Sequence, residues 1–128
     1  MKNFYILVGD ENTWKFSFES NYWGFSVRTK GLWRTLETGD NLAFYVTKPI
    51  GKIIGFGKVV KKFENNELYW SDEFFFKKSL WPFKCQFSVI RKIHSWEMGI
   101  DPPEGIMLNQ GRKKITQDIF EKLIKSLN

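Results

Sequence analysis

The side chains in this chain whose types and spacing could do chemistry are aromatic rings with short polar groups beside them. Of 128 residues, 18% are aromatic, including thirteen Phe and six Trp, and this is more than a small core usually needs. Trp23 is followed by Gly24, which leaves the tryptophan ring with an uncrowded neighbour. This arrangement suits a pocket for a flat ligand. The polar side chains that could read the donor and acceptor edge of such a ligand are Ser26 and, upstream, Asn12, Ser20 and Asn21.

Composition alone leaves two interpretations of Trp23 equally open, a pocket wall and a core residue, because tryptophan is readily buried. Trp70 stands before the segment Ser71-Asp72-Glu73 and is the second candidate wall, and Trp14 is a third. We interpret the remaining tryptophans, Trp33, Trp81 and Trp96, as structural.

Residues for catalysis or metal binding are scarce. His94 is the only histidine and Cys85 the only cysteine, too few for a usual zinc site. Cys85 has the parity of the core face of its predicted strand and His94 has the opposite parity, so we interpret them as a buried thiol and a surface imidazole, not a nucleophile pair. Acidic pairs such as Asp72-Glu73 are interpreted as solvated carboxylates. The sequence therefore predicts a binding module that is not an enzyme and holds no metal or cofactor.

Basic residues exceed acidic ones by six, and the isoelectric point is about 9.4. This excess favours a polyanion as partner. Runs of cations are usually solvated faces, but three of the clusters here would hold phosphates if they surround the mouth of the pocket. The candidate phosphate-binding residues are Arg28, Lys30, Arg34, Lys77, Lys78, Lys84, Arg112, Lys113 and Lys114.

The elements that must position these residues are mostly short strands. Residues 4–8 form an apolar run that predicts a buried strand. Residues 41–47 and 53–62 alternate and are separated by a turn, which predicts a hairpin. A brief strand is expected at 68–70, and a core strand over 85–93. Residues 30–37 have the spacing of a short helix. Thr116 is the expected N-cap of a closing amphipathic helix.

Three segments have no clear period. Residues 12–20 carry alternating aromatics and fit either an edge strand or an irregular loop. Residues 71–82 are predicted to be a long loop, and loops of that length usually have a function or act as a lid. Residues 94–110 contain two prolines and two glycines and are expected to be irregular.

Together the elements predict one α+β domain over residues 1–128. It is a small, mostly antiparallel barrel of five or six strands, with a short helix after the first strand and a C-terminal helix. The first residues do not have the pattern of a positively charged leader with an apolar region, so none is expected. No apolar run is long enough to cross a membrane, and a single cysteine permits no internal disulfide. We therefore expect a cytoplasmic monomer with no membrane partner.

Several motifs also follow one another in a fixed order along most of the chain. They are Trp23-Gly24, Gly39-Asp40 with Phe44-Tyr45, Gly55 and Gly57, Trp70 before an acidic pair, Trp81-Pro82-Phe83-Lys84, and Ile115-Thr116 at the last helix. This order resembles the EVE domain, a family of the PUA-like superfamily that is related to the YTH readers of methylated adenine. The resemblance implies a PUA-like pseudobarrel.

The resemblance also decides between the two interpretations of Trp23. In YTH domains a tryptophan in a similar Gly-x-Trp-Ser context forms one wall of the methyl-base cage, and the same region lines the pocket in EVE domains. We therefore expect RNA or DNA binding, with one flipped or unpaired, modified base between Trp23 and Trp70. Stacking returns about 1 to 3 kcal/mol per base, which offsets the few kcal/mol that extrusion costs. A small-metabolite pocket without nucleic acid and a hydrolase acting through carboxylates are the alternatives.

Overall fold

The computed structural model describes residues 2–108 and 111–127. The last two residues of the irregular segment predicted at 94–110 lie outside this range. The strands are β1 (Phe4–Gly9), β2 (Tyr22–Phe25), β3 (Asn41–Val46), β4 (Lys52–Glu64), β5 (Phe83–Lys92) and β6 (Gly111–Ile115). The helices are α1 (Glu11–Ser20), α2 (Lys30–Arg34), α3 (Ser71–Phe76) and α4 (Gln117–Ser126), with 3-10 turns at Val27–Thr29 and Trp96–Met98.

The six strands form one sheet in the order β2-β5-β4-β3-β1-β6. Every neighbouring pair is antiparallel except β1 and β3, which are parallel. A parallel pair needs a crossover, and the segment from α1 to α2 supplies it. Irregular registers between β3 and β4 and between β4 and β5 increase the twist and curl of the sheet. The α+β, mostly antiparallel architecture is as predicted.

Both faces of the sheet are covered, which explains the continuous apolar run in β1. Tyr5 and Leu7 belong to one buried cluster, which includes Trp14 of α1. Ile6 and Val8 belong to a second cluster, which includes Phe120 of α4. A strand that is buried on both sides is apolar at every position instead of at alternate ones.

Residues 12–20 are neither an edge strand nor a loop, because they form most of helix α1. Asp10 is the N-cap, and its Oδ1 accepts the Thr13 backbone N–H at 2.8 Å. Trp14 and Phe18 are four residues apart and stack at 5.2 Å on one helix face. The alternation of aromatics obscured this i, i+4 pair. Asn21 ends the helix in the left-handed conformation, with φ of 64°.

Residues 71–82 also differ from prediction, because they begin with helix α3 and no strand precedes it at 68–70. Trp70 is the N-cap residue, and the Glu73 side chain accepts its backbone N–H at 3.1 Å. The helix ends at Lys77, whose φ is 55°. A helix of six residues that ends in three phenylalanines shows no apolar period in the sequence, so the pattern indicated a loop.

The closing part of the chain contains an element that the sequence pattern did not predict. Gly111–Ile115 pairs with β1 as edge strand β6. Its cationic sequence lacks apolar alternation, and lysines are typical of edge strands. Helix α4 is as predicted, with Thr116 Oγ1 accepting the Ile119 N–H at 3.2 Å, whereas α2 is shorter than expected. No helix within 2–108 or 111–127 is long and apolar enough to span a membrane.

Candidate functional site

A cavity of about 150 Å³ lies where the end of β1, strand β2 and the start of α3 meet. Three tryptophans from separate segments line it, Trp23 on β2 and Trp70 and Trp81 on either side of α3. The polar side chains around it are Asp10, Thr13, Ser26, Thr29 and Thr47, and Gly9, Gly24 and Gly111 contribute backbone. The site therefore combines aromatic walls with short hydrogen-bonding groups.

Trp23 is only 3% exposed. Its ring stacks on Trp14 at a centroid distance of 4.2 Å and an angle of 29°. It also lies so close to Gly9 that a Cβ there would collide with Cη2 of the ring. The indole Nε1 is buried without a hydrogen-bond partner among the described residues. Trp23 therefore fits both interpretations that composition left open, because it packs in the core and also lines the cavity.

Gly24 allows the other two tryptophans to approach β2. A Cβ at this position would lie 2.6 Å from Cβ of Trp81 and 2.7 Å from Cη2 of Trp70. The Trp70 and Trp81 rings meet edge to face at 5.6 Å and 75°. Trp70 is 2% exposed, and its Nε1 donates to Ser17 Oγ of α1 at 3.3 Å. The absence of a side chain at Gly24 therefore sets the shape of the cavity.

A buried carboxylate fixes both of these tryptophans. Glu73 is 0% exposed. Its Oε1 accepts the backbone N–H groups of Tyr69 and Trp70 at 2.8 and 3.1 Å. Its Oε2 accepts those of Leu80 and Trp81 at 2.9 and 3.0 Å. Hydrogen bonds to a charged acceptor are stronger than neutral ones, so one side chain closes the loop that holds two walls of the cavity.

The structure brings together only part of the predicted polar set. Ser26 lines the cavity, but Asn12 and Ser20 of α1 and its C-cap residue Asn21 do not. The Ser20 hydroxyl donates to the carbonyl of Phe16 instead. Asp10 and Thr13 supply polar atoms in their place. These two residues were not predicted because helix α1 was not predicted. Asp10 is a typical N-cap residue and could have indicated the start of the helix.

The aromatic predictions also need two corrections. Trp14 is 0% exposed and does not line the cavity. Its Nε1 donates to the carbonyl of Tyr45 at 2.8 Å, so it supports Trp23 from the core. Trp81, interpreted as structural from the sequence, does line the cavity. The conformation of the 70–81 loop depends on the hydrogen bonds of Glu73, and no apolar period in the sequence indicated this conformation.

Two of the predicted phosphate ligands have other contacts. Lys84 is 0% exposed, and its ammonium donates to the carbonyls of Asn65 and Glu67 at 3.0 and 3.2 Å. Burial lowers the pKa of Lys84, although nearby carboxylates act in the opposite direction. Arg112 lies over the ring of Tyr5 at 4.0 Å and donates to Thr35 Oγ1. Lys84 is therefore not available to a phosphate, and Arg112 is partly committed to packing.

The other predicted cations are exposed, except Lys30. Lys30 is half-buried, with its ammonium 4.9 Å from the centre of the Phe83 ring. None of the predicted phosphate ligands lines the cavity itself. The exposed ones are Arg28, Arg34, Lys77, Lys78, Lys113 and Lys114.

The cysteine and the histidine are separated, as their parity predicted. Cys85 is fully buried, and burial raises the pKa of Cys85 to about 12. His94 is exposed beyond the end of β5. Within the described residues no group of three or more His, Cys, Asp and Glu side chains could hold a metal ion. Neither residue lines the cavity.

Comparison with solved structures places this fold among known ones. ASCH from Zymomonas mobilis superposes with a TM-score of 0.70 at 11% identity, over 98% of this chain and 96% of that chain. The fold is PUA-like. The YTH domain-containing protein mmi1 in complex with RNA gives a TM-score of 0.65 at 14% identity, over 97% of this chain and 80% of that chain.

A further similar structure is the YTH domain of Zygosaccharomyces rouxii MRB1 in complex with N6-methyladenosine RNA. Its TM-score is 0.59 at 15% identity, over 97% of this chain and 85% of that chain. No protein-family model and no curated protein matches the sequence. At these identities the likeness shows the PUA-like fold that the resemblance implied.

Proposed function

We propose that this protein is a non-catalytic RNA-binding module of the EVE type that takes one base into the cavity between Trp23, Trp70 and Trp81. The observation that carries the proposal is the convergence of these three rings, from residues far apart in sequence, on one small cavity. In this proposal residues 1–128 act as one domain and as a monomer.

The size of the cavity supports a single base as the ligand. Pockets for drug-sized ligands usually have volumes of about 300 to 1,000 Å³. A protein cavity of about 150 Å³ accepts one benzene-sized ring, and the cavity here has about that volume. A planar group that stacks on tryptophan gains about 1 to 3 kcal/mol. One base is thus a better fit than a larger cofactor.

The polar rim supports recognition of the edge of the base. Asp10 uses Oδ1 to cap α1, and a carboxylate has further acceptor capacity on its second oxygen. Thr13 and Ser26 add hydroxyls that both donate and accept. Such groups distinguish bases by their donor and acceptor patterns.

The similar structures support RNA as the polymer and a modified base as the ligand. Two of the YTH domains with this fold were solved with RNA, one of them with N6-methyladenosine RNA. The EVE-like order of motifs in this sequence points to the same class of ligand. We therefore propose a modified base in RNA, with a modified base in DNA as the variant to be tested beside it.

The exposed cations support phosphate binding around the rim. Arg28 stands between Ser26 and Thr29, which both line the cavity. Lys77 and Lys78 directly follow α3. In this division of labour the cations set affinity and the cavity sets the choice of base.

The experiment is a salt titration of binding with matched single-stranded oligonucleotides. They are RNA and DNA of the same sequence, each with and without one N6-methyladenine. The proposal predicts that the logarithm of affinity falls steeply as the logarithm of salt concentration rises. It also predicts that the modified RNA binds more tightly than the unmodified RNA. Reversal of Lys77 and Lys78 to Glu should flatten the slope for every oligonucleotide about equally.

Two results would contradict the proposal. Absence of binding to every oligonucleotide would remove nucleic acid as the partner. Binding with a slope near zero would mean that the cations contact no phosphates, as expected of a pocket for a small neutral ligand.

A further inference from the structure

The end of helix α3 carries the most exposed aromatic surface of the described chain. Phe74, Phe75 and Phe76 are 59%, 79% and 61% exposed. The rings of Phe75 and Phe76 meet edge to face at 5.0 Å. Most other aromatic side chains are buried or half-buried, and contiguous exposed apolar surface usually marks an interaction site. We call these three residues the phenylalanine platform.

The platform has a fixed relation to the cavity. Its helix begins directly after Trp70, which is a cavity wall. The same helix contains Glu73, whose carboxylate accepts four backbone N–H groups from both sides of the loop. Because α3 has only six residues, the platform lies about one helical turn from Trp70. The platform and the cavity wall at Trp70 therefore stand at opposite ends of one short helix.

The chemistry of the platform favours nucleic-acid bases over other occupants. Three phenylalanines present faces on which any base can stack, whereas an aliphatic patch would offer none. Lys77 and Lys78 follow at once and are exposed. Aromatic faces beside cations are the two components of surfaces that bind single-stranded nucleic acid.

We propose that the phenylalanine platform stacks the unpaired nucleotides that flank the base held in the cavity, so that the protein binds a short single-stranded segment and not one nucleoside alone. This inference rests on the proposed function. It adds a second contact site, which selects for single-stranded RNA because bases within a duplex already stack on one another.

The test compares two ligand lengths with the full chain. The long probe is a pool of nine-nucleotide single-stranded RNA with N6-methyladenosine at the central position and random sequence on both sides, and the short probe is a set of nucleoside 5′-monophosphates that includes N6-methyladenosine monophosphate. The variant is Phe75→Ala with Phe76→Ala. Met98→Ala is the matched control, because Met98 is 76% exposed and lies in the 3-10 turn after β5, whereas α3 precedes that strand. Surface changes of this kind alter stability by less than about 0.5 kcal/mol.

We expect the double variant to bind the nine-nucleotide pool about 5- to 150-fold more weakly for each stacked base that is lost. Its affinity for the monophosphates and its salt slope should match those of the parent. The Met98→Ala variant should match the parent on both probes.

Equal binding of the pool by parent and double variant would overturn the inference and leave the proposed function standing. Absence of binding by the parent itself would overturn both. If the variant instead loses self-association, or loses binding to vesicles of anionic phospholipid, with RNA affinity unchanged, the platform is a protein or membrane contact and the inference is wrong.

Discussion

The carboxylate of Glu73 accepts the backbone N–H of Trp81 at 3.0 Å across eight residues of chain. Its other oxygen accepts the N–H of Trp70 at 3.1 Å. Trp70 and Trp81 are two of the three aromatic walls of the cavity. One buried side chain therefore fixes the positions of both walls relative to each other, although it does not line the cavity itself.

Replacement of this carboxylate is expected to loosen the cavity. Glu73→Gln puts an amide N–H₂ group opposite two of the four backbone N–H groups, which leaves buried donors without an acceptor. Each such loss costs about 1 to 3 kcal/mol. We expect a lower melting temperature and weaker RNA binding, measured by thermal denaturation and fluorescence anisotropy.

The control is Asp72→Asn, which changes an exposed carboxylate in the same helical turn. It should leave melting temperature and binding close to those of the parent. If Glu73→Gln and Asp72→Asn behave alike, Glu73 does not position the cavity walls.

Trp23 is expected to be essential to stability as well as to the cavity. If the ring were only a pocket wall, part of the indole would face solvent and Trp23→Ala would melt normally. The ring is only 3% exposed and stacks on Trp14. Truncation of such a ring costs about 3 to 5 kcal/mol. We expect a fall in melting temperature of roughly 10 °C or more in a domain of this size.

Trp96→Ala serves as the comparison, because Trp96 is half-buried and does not line the cavity. It should cost less than Trp23→Ala. A Trp23→Ala variant that melts within a few degrees of the parent would show that the ring is not part of the core.

The cavity should also be sensitive to one added methyl group at Gly24. A Cβ there would lie 2.6 and 2.7 Å from atoms of Trp81 and Trp70, so both rings must move. Overpacking of this kind costs about 1 to 3 kcal/mol. We expect Gly24→Ala to weaken RNA binding by about the value of one base stack, 1 to 3 kcal/mol.

Gly31→Ala is the matched control. Gly31 lies in α2 with nothing within 4 Å of an added Cβ, and alanine is the better helix former by about 0.5 to 1 kcal/mol. This variant should be at least as stable as the parent and bind RNA equally well. Equal binding by the Gly24 and Gly31 variants would mean that the rings beside Gly24 do not contact the ligand.

Lys84 is expected to influence stability and not RNA affinity. Burial lowers the pKa of Lys84 below its ordinary value of 10.5. Between the folded pKa and 10.5 the unfolded chain keeps a proton that the folded chain has lost. The free energy of unfolding therefore rises with pH across this window, and at lower pH the cost of burying the charge is fully present.

Lys84→Met removes this titration. Chemical denaturation at increasing pH up to 10.5 should show that the free energy of unfolding of the parent rises relative to that of the variant. RNA affinity at pH 7 should be unchanged, because the ammonium is buried against Asn65 and Glu67. Two results would contradict this role of Lys84. One is a free energy of unfolding that depends on pH in the same way in parent and variant. The other is a loss of RNA affinity in Lys84→Met as large as that caused by reversing Lys77 and Lys78.

The parts of the fold that the sequence predicted are those with strong periods. β1, the β3–β4 hairpin, β5 and α4 each bury a regular set of apolar side chains, so their patterns were visible. Helices α1 and α3 were missed because their starts depend on capping. Asp10 caps α1 through its carboxylate, and Glu73 accepts N–H groups on both sides of its loop. Hydrogen bonds from a side chain to the backbone leave no apolar period in the sequence.

Residues of the candidate site could be predicted from the sequence where two adjacent residues both line the cavity. Trp23 and Gly24 were identified in this way, and Trp70 through the resemblance. Trp81 was interpreted as structural, and its place beside the cavity depends on the hydrogen bond from its backbone N–H to Glu73. Lys84 was included among the phosphate-binding residues because its burial against Asn65 and Glu67 cannot be read from the sequence.

The central claim is that Trp23, Trp70 and Trp81 together receive one base. The most direct measurement is a titration of ¹⁵N-labelled protein with single-stranded RNA carrying one N6-methyladenosine, followed through the indole N–H signals of the six tryptophans. We predict that the signals of Trp23, Trp70 and Trp81 move most. The signal of Trp33, whose Nε1 donates to the carbonyl of Lys84 at 2.8 Å, should stay in place. Saturating RNA that leaves the three cavity indoles unmoved would contradict the account.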